Sequence, residues 1–366
     1  MRSAPPGDAA FRAPADADLD KLDNGMPVWG RTIHGPPNAT TYWLLYKSED
    51  VHGKAIAVSG VISIPKQGAN GPRPVAAWAH GTTGLGDQCA ISKALADNTG
   101  NAAEFTAVAG PLLAQGYVVA ASDYEGLGTD GVHPYLVATS EAHSMLDVAR
   151  AALRLGSLTG ADEQSSVVLW GHSQGGGAVL ASAEAAPDYA GELHLRAAVA
   201  AAPVTDLVDW IGYLRTTDQF PIVLAIAAGF RAAYPELSWD KVLSPAALAD
   251  LDRVSTECAA DTMARYRGQT AESVVIAAPE RDSDLGKRLV AESPDHSRLS
   301  TPTLVTHGDA DSLIPLKLSQ SAVTRLCQAG GPATLRVFPG ATHGSIISAS
   351  ALDALAFLKQ PSAACA

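Results

Sequence analysis

Apolar positions along this chain follow two rhythms. Residues 41–47 (Thr-Tyr-Trp-Leu-Leu-Tyr-Lys) and 56–64 are rich in β-branched and aromatic side chains, which predicts two strands. Pro65 and the Gly/Pro/Asn stretch 68–74 predict a turn after them. From there the chain shifts to short apolar runs, each ending in a small or polar motif. Run 75–79 ends in His80-Gly81-Thr82-Thr83-Gly84, and run 117–121 in Ser122-Asp123-Tyr124-Glu125-Gly126. Run 167–170 leads into Gly171-His172-Ser173-Gln174-Gly175, and run 197–201 ends at Pro203. Run 303–306 precedes His307-Gly308-Asp309-Ala310-Asp311, and run 335–338 precedes Pro339-Gly340-Ala341-Thr342-His343.

Runs this short and this uniformly apolar predict strands buried on both faces, joined by helices in βαβ units. One such helix is expected over 141–155, with Ser140 as N-cap and Gly156 past its end. Met145, Leu146, Ala149 and Leu153 share its apolar face. Another is expected over 174–186, stopped by Pro187. The predicted class is therefore α/β, with a mostly parallel central sheet flanked by helices. In such sheets ligands bind beyond the carboxyl ends of the strands, where all of these polar motifs fall. Residues 205–298 break the alternation. They carry apolar helical text (207–214, 220–234) and no strand of the core type, so they read as an inserted helical cap. The expected layout is an arm over 1–26, a core from 27–204 and 299–366, and the cap over 205–298.

Composition bounds this picture. Of 366 residues, 47% are hydrophobic and 17% charged, enough to bury a sizeable core and too apolar for a disordered chain. A net charge of −12 argues against nucleic acid or an anionic membrane surface as the main partner, and leaves neutral substrates open. No apolar stretch approaches the roughly 18–20 residues of a membrane span. The start, Met1-Arg2-Ser3-Ala4-Pro5-Pro6-Gly7-Asp8, lacks the apolar stretch of a secretory leader and reads as a loose arm. That fits a cytoplasmic chain or a mature form with its leader removed. Cys89, Cys258, Cys327 and Cys365 have no metal-site or redox-motif spacing. They suit either two disulfides or four free thiols.

The chemistry centres on Ser173. A serine hydroxyl is a weak nucleophile at neutral pH. It needs a base beside it and a carboxylate to orient that base. In G-x-S-x-G the serine sits on a sharp strand-to-helix turn, and glycines let the backbone pass close. Here an apolar run precedes the motif and helical text follows, as that turn requires. In the α/β-hydrolase fold the partners follow in the order serine, acid, histidine. His343, in a loop of small residues after the last run, is the expected base. His172, inside the turn, is expected to point away from the nucleophile. For the acid, Asp311 lies deeper in its loop, ahead of Ile314-Pro315, and is favoured. Asp309 and Asp206 are its rivals, each with a turn or capping role as the plain alternative. The oxyanion needs two backbone N–H donors. Gln174, directly after the nucleophile, and Thr82 in the first loop are expected to supply them, with Thr83 as neighbour. This chemistry needs no cofactor and no metal.

His80-Gly81-Thr82-Thr83-Gly84, Asp123-Tyr124-Glu125-Gly126-Leu127-Gly128, His133-Pro134-Tyr135 and Gly171-His172-Ser173-Gln174-Gly175-Gly176 together resemble the secretory lipase family of α/β-hydrolases. The resemblance runs from about Pro27 to the last helix. It implies a lipase or esterase with a cap inserted after the sixth strand of the full sheet, and it implies export. Matched motif by motif, it gives Ser173, Asp311 and His343 the triad roles. The family spans triacylglycerol lipases, short-chain esterases and acyltransferases, so it leaves the substrate open. Phe220, Leu224 and their neighbours form either a wall of an acyl or aromatic pocket or the packed interior of the cap. Tyr124 and Asp123 sit either at the pocket mouth or in a turn.

The expected partner is thus a small-molecule ester with an apolar or aromatic acyl group; oligomeric state is left open. Three rivals share these residues. An acyltransferase would use the same acyl-enzyme, a peptidase would need a site for a peptide terminus, and a silent binding protein would keep the fold without the chemistry.

Overall fold

The computed structural model describes residues 2–97, 102–296, 298–362 and 364–365. Its centre is one ten-stranded sheet. The strands are β1 (Arg2–Ser3), β2 (Pro27–Ile33), β3 (Ala39–Glu49), β4 (Ala55–Pro65), β5 (Val75–Ala79), β6 (Val118–Ser122), β7 (Val167–His172), β8 (Leu195–Ala201), β9 (Thr303–Gly308) and β10 (Ala333–Phe338). They lie in the order β1-β2-β3-β4-β6-β5-β7-β8-β9-β10. From β6 to β10 every pairing is parallel, whereas β2, β3, β4 and β6 meet antiparallel. All six apolar runs are strands of the parallel part.

Alternate side chains of these strands enter opposite layers. Val75, Ala77 and Ala79 pack with Met145, Leu146 and Ala149 of helix Ala138–Arg154 and with Ala178 and Val179 of helix Gln174–Tyr189. Ala76 and Trp78 face Phe105, Val108 and Leu112 of helix Ala103–Ala114 and Phe357 of helix Ile346–Lys359. Apolar on both faces, the strands β5 to β9 are held in the middle layer of a three-layer sandwich, while β10 closes its edge half-exposed.

Strand β5 lies between β6 and β7, the next two in the chain, so the winding reverses there. The crevice beyond the carboxyl ends of β5 and β7 is the switch point where ligands bind in such sheets. It brings the His80–Gly84 loop and the Ser173 turn side by side.

Several local expectations change. Helix Ala138–Arg154 starts before Ser140, with Val137 as its N-cap, and the Ser140 hydroxyl donates to Glu125 Oε2 within the first turn. Helix Gln174–Tyr189 continues through Pro187, whose fixed φ suits a last turn where only one hydrogen bond is lost. Residues 2–26 are packed, not loose. Arg2 and Ser3 pair with Trp29 and Gly30, and Phe11 is buried against Trp43 at 4.7 Å between ring centroids. Strand β2 escaped the pattern because Pro27 and Gly30 dilute its β-forming text.

The cysteines form two disulfides, Cys89–Cys258 and Cys327–Cys365. The described residues of 205–298 include six helices: Leu207–Leu214, Ile222–Ala233, Pro245–Val254, Ala259–Arg265, Ala271–Val274 and Asp284–Ala291. Their apolar faces, with Trp210, Phe220, Leu224, Phe230 and Trp239, are buried in one cluster with Leu85, Tyr135, Val137, Ile314 and Leu318 from outside the segment. Glu257–Ala259 lies against the loop after β5. Ala259 N–H donates to the Thr83 carbonyl, and Leu85 and Gly86 N–H donate to the Glu257 carbonyl. No described helix is long and apolar enough to cross a membrane.

Candidate active site

Ser173 sits between β7 and the following helix with φ 58° and ψ −118°, a conformation that L-residues adopt only under constraint. The glycines around it are required by contact. A Cβ on Gly171 would meet the Gly175 carbonyl oxygen at 2.2 Å, and one on Gly175 would meet that of Ala79 at 1.9 Å. The turn holds Ser173 Oγ 2.9 Å from His343 Nε2. His343 Nδ1 lies 2.7 Å from Asp311 Oδ2. The tautomer this network assigns has Nδ1–H donating to Asp311 and a bare Nε2 accepting from the serine hydroxyl.

Asp311 is anchored by its other oxygen, Oδ1, which accepts from the N–H groups of Leu313 and Ile314, both at 2.9 Å. His307 Nε2 stands 3.3 Å from Asp311 Oδ2 and donates to the Ile314 carbonyl at 2.9 Å. Burial raises the Asp311 pKa, but hydrogen bonds from His307 and His343 outweigh it and hold the carboxyl well below its usual range. His343 moves down from 6.5 because burial disfavours its cation, and Asp311 offsets this only in part. At neutral pH the pair is therefore a carboxylate beside a neutral imidazole.

The rival acids lie elsewhere in the network. Asp309 is exposed, and its Oδ1 accepts from Gly340 N–H at 2.6 Å. Asp206 caps helix Leu207–Leu214 and pairs with Arg281 at 2.6 Å. The His172 ring packs on the His343 ring at 4.7 Å. Its Nε2–H donates to the His343 carbonyl at 3.0 Å, and its Nδ1 faces Glu104 at 3.3 Å.

Gln174 opens its helix, where first-turn N–H groups lack an intrahelical acceptor. The Thr82 hydroxyl hydrogen-bonds with Tyr135 Oη at 2.7 Å. The Thr83 carbonyl is taken by Ala259 N–H, and its hydroxyl is buried without a partner among the described residues. Tyr124 is fully buried, and its hydroxyl donates to the His80 carbonyl at 3.0 Å. With φ 70° its backbone turns the ring beneath the His80–Gly84 loop, so it supports that loop and does not stand at a pocket mouth. Phe220 and Leu224 are likewise buried among the helices of 205–298. A narrow crevice of about 30 Å³ runs beside Thr82, bounded by Leu85, Pro221, Ile222, Glu257 and Met263.

Sequence reasoning gave no role to His133, Tyr135, Glu141 or His307. The signal for the first two was His133-Pro134-Tyr135 itself. Glu141 and His307 carried none beyond being polar groups in apolar text.

The secretory lipase family model matches residues 94–360. Lipase 4 of Candida albicans is 26% identical over 377 residues, covering 94% of this chain and 78% of the relative. The secreted triacylglycerol lipase LIP7 of Malassezia globosa is 24% identical over 259 residues, covering 68% of this chain and 54% of the relative. The solved structure of Candida antarctica lipase A in its closed state superposes with a TM-score of 0.81 at 21% identity, over 96% of this chain and 84% of that one. The fold is that of the α/β-hydrolases.

Proposed function

The chain belongs to the secretory lipase family, and we propose that, as a carboxylic ester hydrolase of lipase or esterase type, it works through Ser173, His343 and Asp311. The observation that carries this is the unbroken relay of 2.9 Å from Ser173 Oγ to His343 Nε2 and 2.7 Å from His343 Nδ1 to Asp311 Oδ2. As Ser173 Oγ attacks the ester carbonyl, its proton passes to His343 Nε2. The carbonyl oxygen becomes an oxyanion, held by the backbone N–H groups of Gln174 and Thr82. Each such donor contributes roughly 10²–10³ in rate. His343 then protonates the leaving alcohol as the C–O bond breaks, and Ser173 remains acylated. Water attacks the acyl-enzyme, gives its proton to His343, and the carboxylic acid leaves as Ser173 regains its proton. Asp311 stays ionised and stabilises the imidazolium in both halves.

The helices of 205–298 act as a lid over this site. Export is supported by the secreted relative and by two disulfides, which persist in oxidising compartments.

The test is labelling with a serine-directed phosphonylating probe, with a panel of p-nitrophenyl esters from acetate to palmitate run beside it. Native protein is expected to label once per chain and the Ser173→Ala variant not at all. Equal labelling of the two, or undiminished turnover by Ser173→Ala, removes this mechanism.

A further inference from the structure

Behind the two oxyanion donors lies a buried polar layer that the triad does not use. Gln174 Nε2 donates one hydrogen to His133 Nε2 at 2.9 Å and the other to Glu141 Oε1 at 2.8 Å. His133 can accept because its own proton is on Nδ1, which donates to the Glu125 carbonyl at 2.9 Å. Burial lowers the His133 pKa to about 3, so the ring stays neutral. Glu141 Oε1 accepts a second bond, from Leu136 N–H at 3.1 Å. Two residues along from His133, Tyr135 hydrogen-bonds with the Thr82 hydroxyl. One short segment, 133–136, thus reaches both sides of the oxyanion hole.

We propose that His133, Tyr135 and Glu141 form a strap of positioning residues that sets the distance between the Gln174 and Thr82 N–H groups. The inference rests on the oxyanion assignment made above. Geometry argues for it in two ways. Every hydrogen of the Gln174 amide is committed, so its helix start cannot rotate without leaving a buried polar group unmet. The loop that carries Thr82 is also held from below by the Tyr124 hydroxyl on the His80 carbonyl, and Tyr124 stacks on His133 at 5.6 Å and 11°. Both donors are therefore referred to one small block, which suits a hole that must be complete before charge develops.

Glu141 adds a readout. Burial pushes its carboxyl up to about 8. The groups that face it are Gln174 from the nucleophile helix, Tyr124, His133 and Tyr135 from the strap side, and Glu292 beyond helix Asp284–Ala291. Glu292 itself is bound by Tyr234 and approached by Arg288 at 3.8 Å. Below pH 8 Glu141 is neutral and its carbonyl oxygen accepts both bonds. Above pH 8 it becomes an anion behind the oxyanion, and turnover falls.

The experiment compares Tyr135→Phe, Glu141→Ala and Glu141→Gln on p-nitrophenyl butyrate, reading kcat and KM separately from pH 5 to 10, with melting curves for each. Loss of support, short of loss of a donor, is expected to cut kcat about tenfold in Tyr135→Phe and Glu141→Ala, with KM within about threefold. Glu141→Gln keeps the acceptor oxygen, so it is expected to recover kcat to within about twofold below pH 8 and to lose the alkaline decline. Wild-type kcat in a folded Tyr135→Phe overturns the strap, and that variant lacks only one hydroxyl, so it decides the case even if Glu141→Ala does not fold. An alkaline decline unchanged in Glu141→Gln also overturns it. If the strap fails while Ser173→Ala is inactive, the triad reading stands. An active Ser173→Ala sinks that reading instead.

Discussion

Replacing Asp311 by Asn changes one oxygen to an NH₂ and leaves the shape of the site. Asp311 Oδ1 accepts two backbone N–H groups, those of Leu313 and Ile314. The amide has two orientations. With its NH₂ toward those donors, two buried hydrogen bonds become repulsions, at about 1–3 kcal/mol each. With its oxygen there, the NH₂ replaces Oδ2, which stands 2.7 Å from His343 Nδ1 and 3.3 Å from His307 Nε2. The second orientation is the cheaper one, because His343 can respond by moving its proton to Nε2. That tautomer points an N–H at Ser173 and cannot take the serine proton. The imidazolium also loses its counter-charge in the transition state. A loss of about 10⁴ in kcat follows, or ~5 kcal/mol at 1.36 kcal/mol per decade. Asp309→Asn is the control. Its Oδ1 serves only an exposed turn at Gly340, so kcat is expected to stay within about threefold. Steady-state hydrolysis of p-nitrophenyl butyrate at pH 8, with melting curves for both variants, measures the difference. A folded Asp311→Asn within tenfold of wild type, or an equal loss in Asp309→Asn, would refute the reasoning.

Three further outcomes follow from the same coordinates. Burial lowers the His343 pKa from 6.5 and the base must be neutral to accept a proton, so kcat/KM should rise with pH through a midpoint below 6.5; an acid limb centred at or above 6.5 contradicts a buried base. Gly229 in helix Ile222–Ala233 touches the strap, and a Cβ there would lie 2.4 Å from Tyr135 N. Gly229→Ala is therefore expected to cost about 1–3 kcal/mol in unfolding free energy and to lower kcat together with it; a lower melting point at unchanged kcat would separate helix packing from the oxyanion hole. Removing the Cys89–Cys258 bridge by a double serine substitution releases a link between residues 169 apart, at a cost of about 2–5 kcal/mol, read by denaturant unfolding with the second disulfide intact.

What the sequence made legible, and what it hid, follows from the range of each interaction. Strands β5 to β9 were visible because both-face burial writes itself as a nearly uninterrupted apolar run; β10, at the sheet edge, is half-exposed and was marked more by the Pro-Gly turn after it. The motifs at their ends stood out because the sheet must give way to small and polar residues where backbone approaches backbone, as Gly171 and Gly175 show. Spacing favoured Asp311 over Asp309 without showing what holds either side chain. They share one turn, and what distinguishes them is that one side chain bends back to Gly340 while the other is anchored by Leu313 and Ile314. Tyr124 read as a possible pocket residue because its left-handed φ, which buries the ring, has no signature in a residue that is not glycine. The cysteine pairs were undecidable because their partners are joined through the fold and not along the chain.

The buried polar layer around the Gln174 side chain was the least legible part. Gln174 meets His133 and Glu141 across 41 and 33 residues of chain. Nothing local requires a carboxyl at 141 or an imidazole at 133; their cost in burial is offset by the Gln174 amide they share and by one backbone bond each, to the Glu125 carbonyl and from Leu136 N–H. A polar group in otherwise apolar helical text is usually a solvated or capping residue. Glu141 is neither, since helix Ala138–Arg154 begins three residues before it and its oxygen is taken by Leu136 N–H and the Gln174 amide. Burial of an ionisable group deep beside the helix that starts at the nucleophile is expensive enough to need a reason. One reason lies in its contact: the amide that Glu141 fixes belongs to Gln174, the residue proposed above to give its backbone N–H to the oxyanion.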